Sequence, residues 1–185
     1  VLQFDEYEKS LFLTKAQESF VIACYTGRNP AGHAFEVTEE DKKTLSSLVK
    51  TIELEPSEDI SVIPMSSKSY LFKLPNNVLF VTYESCTFSS DDKCIDEKQV
   101  EVIPVTQDEF HRIKNNPFRG TTDNRVLRLD AGKNIVELVS KHNISKYLLR
   151  YISKPNPIIL IDLEDDLSIN NIQNESECQL PDFTH

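Results

Sequence analysis

Apolar positions in the first quarter of the chain recur at three- and four-residue spacing. Phe4, Tyr7 and Leu11, and then Leu13, Ala16, Phe20 and Ala23, follow this rhythm behind an acidic start at Asp5 and Glu6. The pattern predicts an amphipathic helix of about five turns. It should stop near Tyr25, because Thr26-Gly27-Arg28-Asn29-Pro30 combines a helix-ending glycine with a proline that cannot continue the helix. A loop through Gly32 and His33 follows. Thr38-Glu-Glu-Asp41 then has the form of a capping box, and Leu45, Leu48, Val49 and Ile52 supply a buried stripe for a second helix to about Lys50.

From residue 51 the pattern changes to short runs rich in Ile, Val, Tyr and Phe, separated by Pro, Asn, Ser and Asp. These are strand signals, over 61–64, 70–74, 78–88 and 98–105. Leu74-Pro-Asn-Asn-Val78 is expected as a hairpin turn and Ser89-Ser-Asp-Asp92 as a second, more solvated one. Thr106-Gln-Asp-Glu109 opens a short helix with Phe110 and Ile113 on its buried side, which Asn115-Asn-Pro-Phe118 closes. Strands resume at 125–129 and 135–140 around Asp130-Ala-Gly-Lys133, and continue at 146–153 and, after Pro155-Asn-Pro157, at 158–163. The polar, Asn-rich stretch 168–179 is expected as a surface loop leading to a last helix that is only begun at Pro181 to His185.

The expected fold is therefore α+β. A helical layer from the N-terminal helices and a C-terminal helix surrounds an inserted, antiparallel, sandwich-like β lobe. The expected parts are residues 1–50, 51–167 and 168–185. The Val at position 1 and the helix begun at the other end suggest a segment of a longer chain.

A length of 185 residues, 39% hydrophobic and 27% charged with a mean hydropathy of -0.37, suits a single sizeable core. No apolar run approaches the ~20 residues of a membrane-spanning helix, and no basic and apolar leader is present. The net charge of -10 is unevenly placed: residues 158–185 hold seven acids and no Lys or Arg. Tight nonspecific nucleic-acid binding needs the opposite sign. Cys24, Cys86, Cys94 and Cys178 lack metal-site or framework spacing and are expected as reduced thiols, Cys86 and Cys94 being the one pair that a hairpin could bring together.

Catalytic patterns are sparse. The glycines at 27, 32, 120 and 132 form no phosphate-binding loop, so no nucleotide cofactor is expected. His33, His111, His142 and His185 are isolated, which argues against a metal set. Ser85-Cys86 and Ser66-Ser67 lack a companion histidine in an elbow or triad context. The one acidic cluster is Asp162-Leu-Glu-Asp-Asp166, following Ile158–Ile161. Carboxylates at a strand end can hold Mg2+, so a small nuclease with Lys146 or Lys154 as the cationic partner is the alternative reading, although no Glu-x-Lys or Asp-x-Lys strand motif aligns one. A monomeric β-sandwich binding module is a third. Tyr147, Leu148, Leu149, Tyr151 and Ile152 place bulky groups on both faces of one strand, which makes Tyr147 and Tyr151 core residues or candidates for an interface.

Three stretches carry a resemblance. In the first helix they are Asp5 to Ser10, Phe12 to Thr14 and Ala16 to Glu18. The second is Tyr147-Leu-Leu-Arg-Tyr-Ile-Ser-Lys-Pro-Asn-Pro-Ile-Ile159, and the third is Cys178-x-Leu-Pro-x-x-x-His185. Together they cover about a quarter of the chain and span its length. The chain resembles the head-to-tail connector ring proteins of crAss-like tailed phages, the portal adaptors and gatekeepers. That resemblance implies a structural virion protein made in the host cytoplasm, without catalytic residues or cofactor. It implies a homo-oligomeric ring, a dodecamer, between the portal protein and the next tail or ring protein, with no membrane partner. DNA would pass through the lumen without specific binding. On that reading Asp162, Glu164, Asp165 and Asp166 are candidate lumen-facing acids, since a like-charged wall lets DNA slide. Lys9, Lys15 and Glu18 become candidates for the contact between ring and portal.

Overall fold

The computed structural model describes residues 4–26, 43–57, 62–89, 98–163 and 167–180. The chain is α+β and divides into two compact units, one of residues Val1–Val49 with Ile152–His185 and one of Lys50–Tyr151. In the first, helix α1 spans Glu6–Thr26. Asp5 Oδ1 accepts the Glu6 N–H at 2.7 Å and Glu8 reaches back to the Asp5 N–H at 3.1 Å, so the acidic start works as a cap. The predicted capping box at Thr38–Asp41 and the predicted terminal helix from Pro181 lie outside the described residues.

Seven strands join one mixed sheet: β1 (Val49–Leu54), β2 (Ser69–Lys73), β3 (Val78–Phe88), β4 (Gln99–Pro104), β5 (Arg125–Gly132), β6 (Ile135–Val139) and β7 (Ile144–Ser153). The order is β1-β7-β3-β4-β5-β6-β2. Helix α2 (Gln107–Ile113) lies between β4 and β5, which pair in parallel from Glu101↔Arg125 to Pro104↔Arg128. A parallel pair needs such a crossover, so the β part is not wholly antiparallel as expected. Leu74–Val78 joins β2 to β3, which are not neighbours, and is therefore not a hairpin turn. The β5–β6 reversal does follow its sequence signal: Gly132, Lys133 and Asn134 have φ of 84°, 52° and 59°, the left-handed values of a tight hairpin.

The sheet curls instead of forming two stacked layers. Five strand spacings separate β7 from β2, roughly 24 Å in a flat sheet. Yet the rings of Phe72 on β2 and Tyr147 on β7 are 5.2 Å apart. The edges meet where the Ser57 N–H, just beyond β1, donates to the Leu71 carbonyl of β2 at 2.9 Å. Phe72, Phe88, Val126, Leu138, Tyr147 and Leu149 are among the side chains packed inside the curl. On its outer wall Phe110 and Ile113 of α2 cover Leu127, Leu129 and Val139.

Three further expectations are corrected. The predicted second helix is helical at 43–46, and Val49–Leu54 is strand β1: Leu48, Val49 and Ile52 suit a helical stripe, but the β-branched residues pair into the sheet. Residues 62–64 and 158–163 form no strand; the latter make only the isolated bridge Ile159↔Ser176. Thr106 caps α2 by position but makes no side-chain cap bond. Its hydroxyl is engaged by Asp108, which holds that carboxyl below its usual range.

Candidate interaction surfaces

The inward face of α1 is largely polar. Ser10, Thr14, Gln17, Val21 and Cys24 are buried, at spacings of three and four. The Ile158 N–H donates to Thr14 Oγ1 at 3.0 Å and the Leu160 N–H to Ser10 Oγ at 3.1 Å, so two helix hydroxyls take backbone donors that no strand accepts. Of the apolar positions that set the rhythm, Phe4, Leu13 and Phe20 lie outward, 48%, 41% and 38% exposed, whereas Tyr7, Leu11 and Ala23 are half-buried; Phe12, outside the rhythm, is 60% exposed. Much of the apolar bulk of α1 is thus on its surface, spread around the exposed half of the helix and not gathered into one apolar stripe.

The three charged α1 candidates lie along this helix and are engaged. Lys9 pairs with Glu6 at 2.6 Å, Lys15 with Glu18 at 3.5 Å, and Lys154 with Glu18 at 3.0 Å. Burial pushes the Glu18 carboxyl up, but Lys154, Lys15 and Asn170 outweigh it and hold it below its ordinary value.

Tyr147 and Tyr151 are not surface residues. They are 0% and 4% exposed inside the curl, where alternate positions of β7 must point. Tyr147 Oη donates to Glu84 Oε2 at 2.7 Å, and Arg128 Nη1 donates to Glu84 Oε1 at 2.8 Å. Burial, and then Glu84, push the Tyr147 phenol up; Arg128 is likewise raised because Glu84 and Asp130 overcome the effect of its burial. Cys86, on the same face of β3, is pushed up to about 12 by burial and by Glu84. It is a free thiol; Cys94, the candidate partner, lies outside the described residues.

Among the candidate acids, Asp162 is exposed and accepts the Glu175 N–H at 2.6 Å; Glu164, Asp165 and Asp166 lie outside the described residues. The polar stretch after them turns back at Asn170 and Asn171, with φ of 53° and 65°. It runs beside 159–163 through bonds from Leu163 N–H to Gln173 and between Ile159 and Ser176. Among the described residues no three His, Cys, Asp or Glu side chains are placed to hold a metal ion. His142 pairs with Asp123 at 3.1 Å, which holds that carboxyl below its usual range.

Two features escaped the sequence. The first is the turn after α2. Asn116 Oδ1 accepts the N–H groups of Phe118 and Arg119 at 2.8 and 3.2 Å, and its carbonyl accepts the Gly120 N–H at 2.7 Å. Arg125 donates to the Phe118 carbonyl at 2.7 Å. Gly120 is buried so closely that a Cβ would meet the carbonyl oxygens of Asn116 and Lys114 at 2.7 Å. This rigid turn holds the Phe118 side chain in solvent, 85% exposed. The signal was Asn116-Pro-Phe-Arg-Gly120, legible only as a helix stop.

The second is a cleft of about 730 Å³ at the seam of the curled sheet, lined by Glu55, Ser57, Val62, Pro64, Tyr70 and Leu71 among others. Its wall at 62–66 is fixed by Glu137 of β6, 2% exposed, whose carboxylate accepts the Met65 N–H at 2.9 and 3.1 Å and the Ser66 N–H at 3.2 Å. A carboxylate in an otherwise apolar strand was the available signal.

Comparison with known proteins gives this geometry a family. The family described as "Phage tail ring protein 3/4" matches residues 1–185. "Ring protein 3" of Bacteroides phage crAss001 is 47% identical over 187 residues, covering 100% of this chain and 80% of the relative. "Ring protein 4/5" of the same phage is 27% identical over 193 residues, covering 98% of this chain and 77% of the relative. The chain belongs to the phage tail ring protein 3/4 family and is a ring protein of a crAss-like phage.

Proposed function

We propose that this chain is a structural subunit of the virion, whose copies close into a ring between portal and tail and leave a channel for DNA. The observation that carries the reading is the family match over the whole chain. The exposed apolar side chains of α1 support it, because Phe12, Leu13 and Phe20 on one helix suit a surface that assembly covers. On this reading α1 is the axial contact, to the portal protein or the next ring, with Lys9, Lys15 and Glu18 giving it a charged rim. The acids from Asp162 to Asp166 face the lumen or a neighbouring subunit. A dodecamer is the expected ring size, and no step of the role calls for catalysis or a cofactor.

Electron microscopy and native mass measurement of the purified chain test the proposal. Closed rings of one size, with a central channel, are the expected result. A monomer that cleaves DNA with Mg2+ and loses that activity on Asp165→Asn would replace it with the nuclease reading.

A further inference from the structure

We propose that neighbouring copies join laterally by seating the Phe118 turn of one subunit in the seam cleft of the next. The inference rests on the ring reading and deepens it. A cyclic ring is built from heterologous contacts, so each subunit must carry two unlike surfaces that fit each other and lie on different sides.

The unit of Lys50–Tyr151 contains such a pair. Phe118 projects from the turn leading to the start of β5, whereas the cleft opens where the end of β1 meets β2. Strands β6 and β2 separate β5 from the seam in one direction, and β4, β3, β7 and β1 separate them in the other, so knob and cleft occupy different sides of the curl.

Shape and rigidity agree. Four hydrogen bonds fix the backbone of the turn that presents the Phe118 ring, which lowers the ordering cost that an anchor on a flexible loop carries. Buried aromatic anchors in fitted pockets are the usual centres of protein interfaces. A volume of about 730 Å³ accommodates such a ring with its flanking backbone, and Val62, Pro64 and Leu71 offer it apolar contact. The Glu137 carboxylate keeps the cleft wall in place before any partner arrives. Charge is complementary at the rims: exposed Arg119 follows the ring, and Glu55 stands exposed at the cleft.

The test uses purified full chain. Wild-type rings are expected to fall to monomers and short open oligomers in Phe118→Ser, which keeps the far-UV circular dichroism of the folded subunit because the side chain is already exposed. Arg119→Glu should weaken assembly at low salt by about tenfold or more, and Glu55→Lys in the same chain should restore it. A chain that keeps Phe118 and carries Arg119→Cys and Glu55→Cys, with Cys94→Ser and Cys178→Ser, should give a ladder of disulfide-linked multimers that neither single cysteine variant gives. Wild-type rings that survive Phe118→Ser, without the ladder, would overturn the interface and leave the ring reading standing. A wild-type chain that stays monomeric at every concentration would overturn the ring reading and the interface with it.

Discussion

The phenol of Tyr147 donates to the carboxylate of Glu84 at 2.7 Å inside the curled sheet, and the other oxygen of that carboxylate holds Arg128. The three side chains form one unit, with Glu84 the shared acceptor. Glu84→Ala should cost about 3–5 kcal/mol, since it strands the guanidinium of Arg128, 12% exposed, without its counter-charge. Tyr147→Phe removes one hydrogen bond and leaves the ion pair intact, and should cost about 1–3 kcal/mol. Chemical denaturation of both variants checks the order; equal losses would mean that the phenol contributes as much as the ion pair.

The hydroxyls of Ser10 and Thr14 stand in for a missing strand partner. Thr14→Val keeps the shape and deletes the acceptor for the Ile158 N–H, leaving a partly buried donor unpaired at a cost of about 1–3 kcal/mol. One turn further, Gln17 is 5% exposed and its amide has no hydrogen-bond partner among the described residues. Gln17→Leu should therefore raise the midpoint of urea unfolding while Thr14→Val lowers it, although both replace a polar group by an apolar one on the same helix face.

That inward polar face also shows where the sequence was silent. The three- and four-residue periodicity of α1 was legible, but its orientation was not, because the acceptors that Ser10 and Thr14 provide serve a segment more than 140 residues away. Local signals did better. Asp130-Ala-Gly-Lys133 marked the reversal, Phe110 and Ile113 a buried helix side, and the bulk on both faces of Tyr147–Ile152 a strand of the core or of an interface, of which the structure shows the core. The parallel β4–β5 pairing rests on the crossover through α2, and the separation of β2 from β3 on pairings between strands distant in sequence, which no short window encodes. The Phe118 turn depends on Asn116 bonding backward and forward, so a reading of breakers saw only its stop.

Stability should depend on pH through Glu18. Its carboxyl titrates below its ordinary value in the folded chain, so the unfolded chain binds the proton first as pH falls. The stabilisation is thus present above the ordinary Glu value and is lost as pH drops through the lowered one. In Lys154→Met, which removes the strongest favourable partner, the fall in melting temperature between pH 5 and pH 3 should be shallower than in the wild type.

Thiol reactivity should separate the described cysteines. Cys178 is exposed, while Cys24 and Cys86 are buried and the Cys86 thiol is pushed up to about 12. In a Cys94→Ser background at pH 8, one thiol per chain should react quickly with a disulfide reagent and two only after denaturant is added. Fast labelling of Cys86 would show that the interior of the curl opens readily.

The outward side of α1 can be separated from the lateral contact by what each variant still assembles. Phe12 and Phe20 are exposed apolar side chains of α1 and are not buried in the chain, so Phe12→Ser with Phe20→Ser should change folding stability by no more than about 0.5 kcal/mol per site. If this face makes the axial contact, the double variant still closes into rings, because the Phe118 turn and the seam cleft are untouched. Those rings should fail to join the portal or the adjoining ring when the components are mixed, and virions assembled with the variant should lack a continuous tail. The same substitutions abolishing the ring itself would assign α1 to the lateral contact. Normal stacking would remove it from both, since a helix with this much apolar exposure would then face solvent in the finished particle.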